Sequence, residues 1–141
     1  MIRAFEPWDI DRVMEIWLDA NIETHSFVSG DYWRENFDPV KEMIPKADVY
    51  VFEKDEEIVG FIGLMENYIA GIFVDGEYRS KGIGKELLKK AKESRDVLTL
   101  QVYQKNQGAL SFYQREEFMI AETQEDGETG EIDLTMKWCR T

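Results

Sequence analysis

Apolar residues recur at Ile10, Val13, Met14, Trp17 and Ala20, the three-and-four spacing of one helical face. The spacing predicts a first amphipathic helix to about Asn21, after a short strand at Ile2–Phe5 and with Pro7 suited to its first turn. Thr24–Gly30 reads as a loop. Trp33, Phe37, Val40 and Ile44 share a second helical face, which Pro39 is expected to kink or divide. From Val49 the pattern becomes strand-like. Val49–Glu53, Ile58–Leu64 and Tyr68–Val74 are apolar runs separated by polar turns at Lys54–Glu57 and Glu66–Asn67. Helical spacing returns at Gly82, with Ile83, Leu87, Leu88 and Ala91 on one face and lysines on the other. Val97–Val102 is apolar enough for a buried strand. Asn106 is a suitable N-cap for a helix to about Arg115. Two strands close the chain, near Phe118–Thr123 and Glu131–Trp138, parted by Asp126-Gly127 and Thr129-Gly130 turn signals.

The order β-α-α-β-β-β-α-β-α-β-β implies an α/β domain with a mixed sheet, and 141 residues suit a single domain, residues 1–141. Hairpins dominate the middle, while helices cross over on either side of Val97–Val102. Such a parallel crossover places a ligand at the carboxyl ends of its strands.

Composition narrows the partners. The net charge of −12 repels a phosphate backbone, so nucleic acid is not expected; it favours cationic partners such as amines, or simply keeps the protein soluble. One cysteine, Cys139, and one histidine, His25, allow neither an intrachain disulfide nor a His/Cys metal cluster, and no metal is expected. No apolar run reaches membrane-spanning length and the charged N-terminus is unlike a signal peptide, so no membrane partner and a cytoplasmic location are expected.

Against this acidic background, Arg79, Lys81 and Lys85 concentrate positive charge where a strand (Ile72-Phe73-Val74) ends and a helix opens on Gly82 and Gly84. Unpaired N–H groups at a helix start attract an anion, and glycines let it come close. Two familiar phosphate loops are excluded by spacing. The P-loop pattern is absent, and in a dinucleotide fingerprint the third glycine would fall at Leu87.

The segment Arg79-Ser80-Lys81-Gly82-Ile83-Gly84 resembles the acetyl-CoA signature Arg/Gln-x-x-Gly-x-Gly/Ala of the GNAT N-acetyltransferases. Asn106-Gln107-Gly108-Ala109-Leu110-Ser111-Phe112-Tyr113 with Phe118 resembles that family's downstream pattern. The likeness spans essentially the whole chain. It is strongest to small bacterial YiaC/YjaB-type members, through Ile16-Trp17-Leu18, His25-Ser26-Phe27, Tyr32-Trp33-Arg34 and Val102–Gln107. Gly76 and Glu117 depart from the family, which often has Pro and usually Gly at these places; the second departure bears on how the last helix ends.

The resemblance implies a mixed, mostly antiparallel sheet of about seven strands with about four helices, acetyl-CoA as co-substrate, and direct attack by a primary amine. The acceptor would be a protein lysine or N-terminal amine, with a small-molecule amine or a non-catalytic CoA-binding module as alternatives; the protein would be a monomer or homodimer. Pantetheine would lie along Ile72, Phe73 and Val74, with a backbone N–H at Phe73–Val74 facing the oxyanion and Ala70-Gly71 allowing the strands to splay. The pyrophosphate would meet Arg79, Ser80, Lys81, Gly82, Ile83, Gly84 and Lys85, and Asn106 would complete the cofactor site. Tyr113 would protonate the leaving thiolate, and Glu66 or His25 would deprotonate the amine. Tyr68 and Phe27 are candidate linings of the acceptor pocket.

Overall fold

The run Ile58–Leu64 contains no polar residue, and in the computed structural model, which describes residues 1–140, it lies in the interior of a seven-stranded sheet, as its third strand. β1 (Ile2–Ala4), β2 (Asp48–Lys54), β3 (Glu57–Met65), β4 (Tyr68–Val74), β5 (Val97–Tyr103), β6 (Met119–Glu125) and β7 (Ile132–Cys139) stand in the order β1-β2-β3-β4-β5-β7-β6. Every pairing is antiparallel except β4 with β5. β3 lacks the polar alternation of a half-exposed strand because helices cover both its faces.

On one face, α4 (Ile83–Ser94) and α5 (Gln107–Arg115) bury Leu87, Leu88, Ala91 and Leu110 against Leu98, Leu100 and Met136. On the other, α1 (Ile10–Thr24), α2 (Gly30–Glu35) and α3 (Phe37–Met43) bury Val13, Met14, Trp17 and Trp33 against Val49, Val51 and Phe61. Burial of apolar area on this scale is the main stabilising term for such a domain.

Two helix boundaries differ from expectation. α1 continues past Asn21 to Thr24. The second helical face is carried by two helices, α2 and α3, which makes five rather than about four. The division falls at Asn36, not at Pro39. Pro39 sits in the first turn of α3, where an amide N–H would have no helical acceptor anyway.

The feature that opens the site is in β4. Gly63 pairs with Gly71 but Leu64 with Ile69, so Ala70 is an extra residue, a bulge. β4 meets β5 only through Tyr68–Thr99 and Ile69–Leu100. From the bulge onward the two parallel strands separate. Gly71 leaves room there for the Phe73 ring, which a Cβ standing 2.4 Å from it would displace.

Glu117 closes α5 with φ +74°, the conformation that glycine would adopt without strain. The Phe118 N–H still reaches the Tyr113 carbonyl at 3.0 Å, so the cap forms despite the substitution. Glu117→Gly is expected to stabilise the protein by about 1 kcal/mol, read as a raised midpoint in urea unfolding at unchanged m.

Candidate active site

Where β4 and β5 part, a cleft of about 950 Å³ opens between the C-terminal half of α1 and the N-termini of α4 and α5. Of the candidate site residues named from the sequence, all line it except Lys81, Glu66, Tyr68 and Phe27.

The anion-binding end is built by the loop after β4. Asp75 Oδ1 accepts from the Glu77 N–H at 2.9 Å, and Oδ2 pairs with Arg12 at 2.6 Å. These bonds, the backbone one foremost, hold the Asp75 carboxyl below its ordinary range. They also hold the 3₁₀ turn Gly76–Tyr78 in place, although Gly76 brings none of proline's rigidity. Ser80 and Gly82 then take φ of +63° and +84°, and α4 begins at Ile83. The N–H groups of Ile83, Gly84 and Lys85 have no protein acceptor among the described residues. They form a ready anion site. A Cβ on Gly84 would meet Phe112 at 3.6 Å, an ordinary contact, so protein packing alone does not require glycine there. Arg79 pairs with Glu23 at 3.0 Å on the rim. Lys81 is exposed outside the cleft, 5.7 Å from the Tyr78 ring centre.

The opposite end holds Tyr113, 8% exposed and packed on Phe112 and Phe118 at ring separations of 5.2 and 5.5 Å. Its hydroxyl bonds to no side chain or backbone group among the described residues. Burial raises its ionisation well above that of a free phenol, so it keeps its proton throughout the neutral range.

His25 lies between α1 and α5. Its Nδ1 is 3.1 Å from Asn21 Oδ1 and its Nε2 is 3.0 Å from Asn106 Nδ2. The ring stacks on Trp33 at 5.2 Å and meets Tyr103 and Phe27 edge-on. Desolvation pushes its pKa from 6.5 down to about 4. The folded protein therefore holds it neutral, while the unfolded chain gains a proton near pH 6.5. Stability contributed above that pH is lost as pH falls from about 6.5 towards about 4. Urea midpoints are expected to decline between pH 7 and 5 more steeply in the unmodified protein than in His25→Gln.

Glu66 is not brought to the cleft. It forms the exposed β3–β4 turn at φ +57°, with its carbonyl accepting from Arg95 at 2.9 Å. The reason is strand direction: parallel strands separate here at their C-terminal ends, and Glu66 precedes the N-terminus of β4, where β4 and β5 are still paired. Tyr68, at the same end, donates to Gln101 Oε1 at 3.3 Å, and neither Tyr68 nor Phe27 lines the cleft.

Trp17, Asn21, Trp33 and Tyr103 do line it, unanticipated from the sequence. Asn21 could have been found. With Trp17 and His25 it makes an i, i+4, i+8 series, a polar residue on the apolar stripe of α1, and it is 3% exposed. The Trp33 indole N–H is buried with no hydrogen-bond partner among the described residues.

Comparison with known proteins agrees with this architecture. Residues 45–120 match a family model described as an acetyltransferase (GNAT) domain. The chain is 33% identical over 140 residues to the peptidyl-lysine N-acetyltransferase YiaC of Escherichia coli strain K12, covering 98% of this chain and 96% of that one. The solution structure of apo YjaB from Escherichia coli superposes with a TM-score of 0.86 at 25% identity, covering 100% of this chain and 98% of that one. A Bacillus anthracis acetyltransferase solved in complex with acetyl coenzyme A matches at TM-score 0.61 and 26% identity, over 66% of this chain and 62% of that one.

Proposed function

The chain belongs to the GNAT acetyltransferase family, and we propose that it transfers the acetyl group of acetyl-CoA to the side-chain amine of lysine in proteins, acting in the cytoplasm. The observation that carries the reading is the splay of β4 from β5, with free helix-start N–H groups at one end and the Tyr113 hydroxyl at the other. Acetyl-CoA, when bound, supplies an activated thioester carbonyl.

The residues present fit that group. Ile83, Gly84 and Lys85 offer backbone N–H donors to the pyrophosphate, with Ser80 and Gly82 shaping the loop and Arg79 and Lys81 adding charge. The β4 segment Ile72–Val74, free of β5, can pair its main chain with pantetheine amides, and an N–H at Phe73–Val74 serves as donor to a developing oxyanion. Asn106 shapes the far wall. Tyr113, still protonated at neutral pH, donates its proton as charge develops on the departing sulfur.

A lysine acceptor is supported by the printed activity of the YiaC relative and by the field of a chain with net charge −12. Carboxylates also stand beside the aromatic wall. Asp126 accepts from the Tyr103 hydroxyl at 3.1 Å, and Glu128 accepts from the Tyr32 hydroxyl at 2.7 Å. The test is acetyl-CoA turnover with three acceptors: an N-terminally blocked lysine peptide, a lysine-free peptide with a free α-amine, and spermidine. Mass spectrometry should place the acetyl group on the lysine amine. Transfer to spermidine alone, or CoA binding without transfer, contradicts the proposal.

A further inference from the structure

A continuous chain of hydrogen bonds crosses the cleft from α1 to α5, and its ends determine every donor and acceptor within it. The Ala109 N–H donates to Asn106 Oδ1 at 3.2 Å, the N-cap bond of α5. That fixes which way the Asn106 amide points, so its NH₂ group faces His25 Nε2 at 3.0 Å. Nε2 must then be the acceptor and Nδ1 must carry the proton. The other end gives the same answer independently. Asn21 Nδ2 donates to the Trp17 carbonyl at 2.9 Å, which leaves Asn21 Oδ1 as the acceptor 3.1 Å from His25 Nδ1.

We infer that His25 is a positioning residue, locked as the Nδ1–H tautomer, that ties the last turn of α1 to the N-cap of the helix carrying Tyr113. Its Nε2 lone pair is committed to Asn106 and is not free to take a proton from an acceptor amine. An imidazolium would set two donors face to face at 3.0 Å and could form only by breaking the bond to Asn106 or turning the capping amide. The stacked Trp33 and edge-on Phe27 and Tyr103 leave the ring little room to turn. Titratable and charged groups stand behind these rings: the Tyr32 ring packs on Trp33 at 4.9 Å and its hydroxyl donates to Glu128. The Tyr103 hydroxyl is engaged by Asp126, and Lys105 lies over Phe27 at 5.8 Å.

Because α1 and α5 are two walls of the cleft, the link sets their separation. Loosening it should therefore be felt first in acetyl-CoA binding, and this consequence rests on the acetyl-transfer reading. The tautomer does not.

His25 is the only histidine in the chain, so its imidazole nitrogens can be assigned without ambiguity in two-bond ¹H–¹⁵N spectra. The expected result is the Nδ1–H tautomer from about pH 8 to about pH 5. An Nε2–H tautomer, or an imidazolium already at about pH 6, overturns the inference.

Side-chain isosteres supply the second arm. His25→Gln places an amide oxygen near the Nε2 position and can still accept from Asn106, whereas His25→Asn reaches only the Nδ1 position. His25→Gln should keep the acetyl-CoA Kd within about threefold, and His25→Asn should weaken it about tenfold, the effect of one hydrogen bond. Equal Kd values in both variants overturn the inference. So does a loss of kcat of about a hundredfold or more in both with Kd unchanged, the signature of a general base. Should His25→Asn fail to fold, the spectrum of the unmodified protein and the Kd of His25→Gln still decide the matter.

Discussion

Tyr113→Phe is expected to lower kcat for acetyl transfer by about a hundredfold, roughly 2.7 kcal/mol in the barrier, while KM for acetyl-CoA stays within about threefold. The split follows from where the hydroxyl lies. The ring is buried against Phe112 and Phe118 and Phe would fill the same space, so packing is preserved. No protein group is left unpaired, because the hydroxyl has no partner among the described residues; deletion should leave the unfolding midpoint almost unchanged. What is lost is a proton donor whose ionisation burial holds well above the neutral range. Single-turnover rates at saturating acetyl-CoA, taken with thermal unfolding, check this. A folded Tyr113→Phe variant with full kcat would remove Tyr113 from the chemistry.

The second large effect is expected at Gly82. Its φ of +84° is a left-handed conformation that a β-branched residue adopts only at a cost of about 2 kcal/mol. No heavy atom lies within 4 Å of where its Cβ would stand, so the cost of Gly82→Val falls on the backbone conformation rather than on a Cβ contact. The strain is relieved by rotating the backbone, which re-aims the N–H groups of Ile83, Gly84 and Lys85. Acetyl-CoA affinity should fall at least about thirtyfold, because several donors are misdirected together, while Tm drops by only a few degrees. Calorimetric titration measures the first quantity and a thermal scan the second. An unchanged Kd would mean that the pyrophosphate does not rest on this helix start.

Local signals were legible in the sequence where one element determined them. Tyr68–Val74 is bounded as expected, Asn106 caps α5, and the basic loop with its glycines stands at the helix start. Long-range geometry was harder to read. Nearness in sequence to β4 makes Glu66 a candidate base, but only the parallel register with β5 shows which end of β4 opens. The Asn21–His25–Asn106 link joins residues 81 positions apart in its longest step, so no local spacing could reveal it. The division at Asn36 also escaped prediction. Proline dominates expectations of helix breaks, yet in the first turn of a helix it breaks nothing.

Glu117 illustrates the converse. The sequence pattern flags it correctly as the wrong residue for a left-handed cap, and the chain adopts that cap anyway. The Phe118 N–H bond to Tyr113 and burial of Phe118 outweigh a local strain of about 1 kcal/mol.

The central claim is that acetyl-CoA lies in the β4–β5 splay with its pyrophosphate on the start of α4. The most direct measurement is a backbone amide titration of the ¹⁵N-labelled protein with acetyl-CoA. The account predicts that the largest shifts fall on Gly82–Lys85 and on Gly71–Val74, with Tyr113 and the N-terminal turn of α5 next. Saturable binding that leaves those amides unmoved and shifts another surface would contradict it.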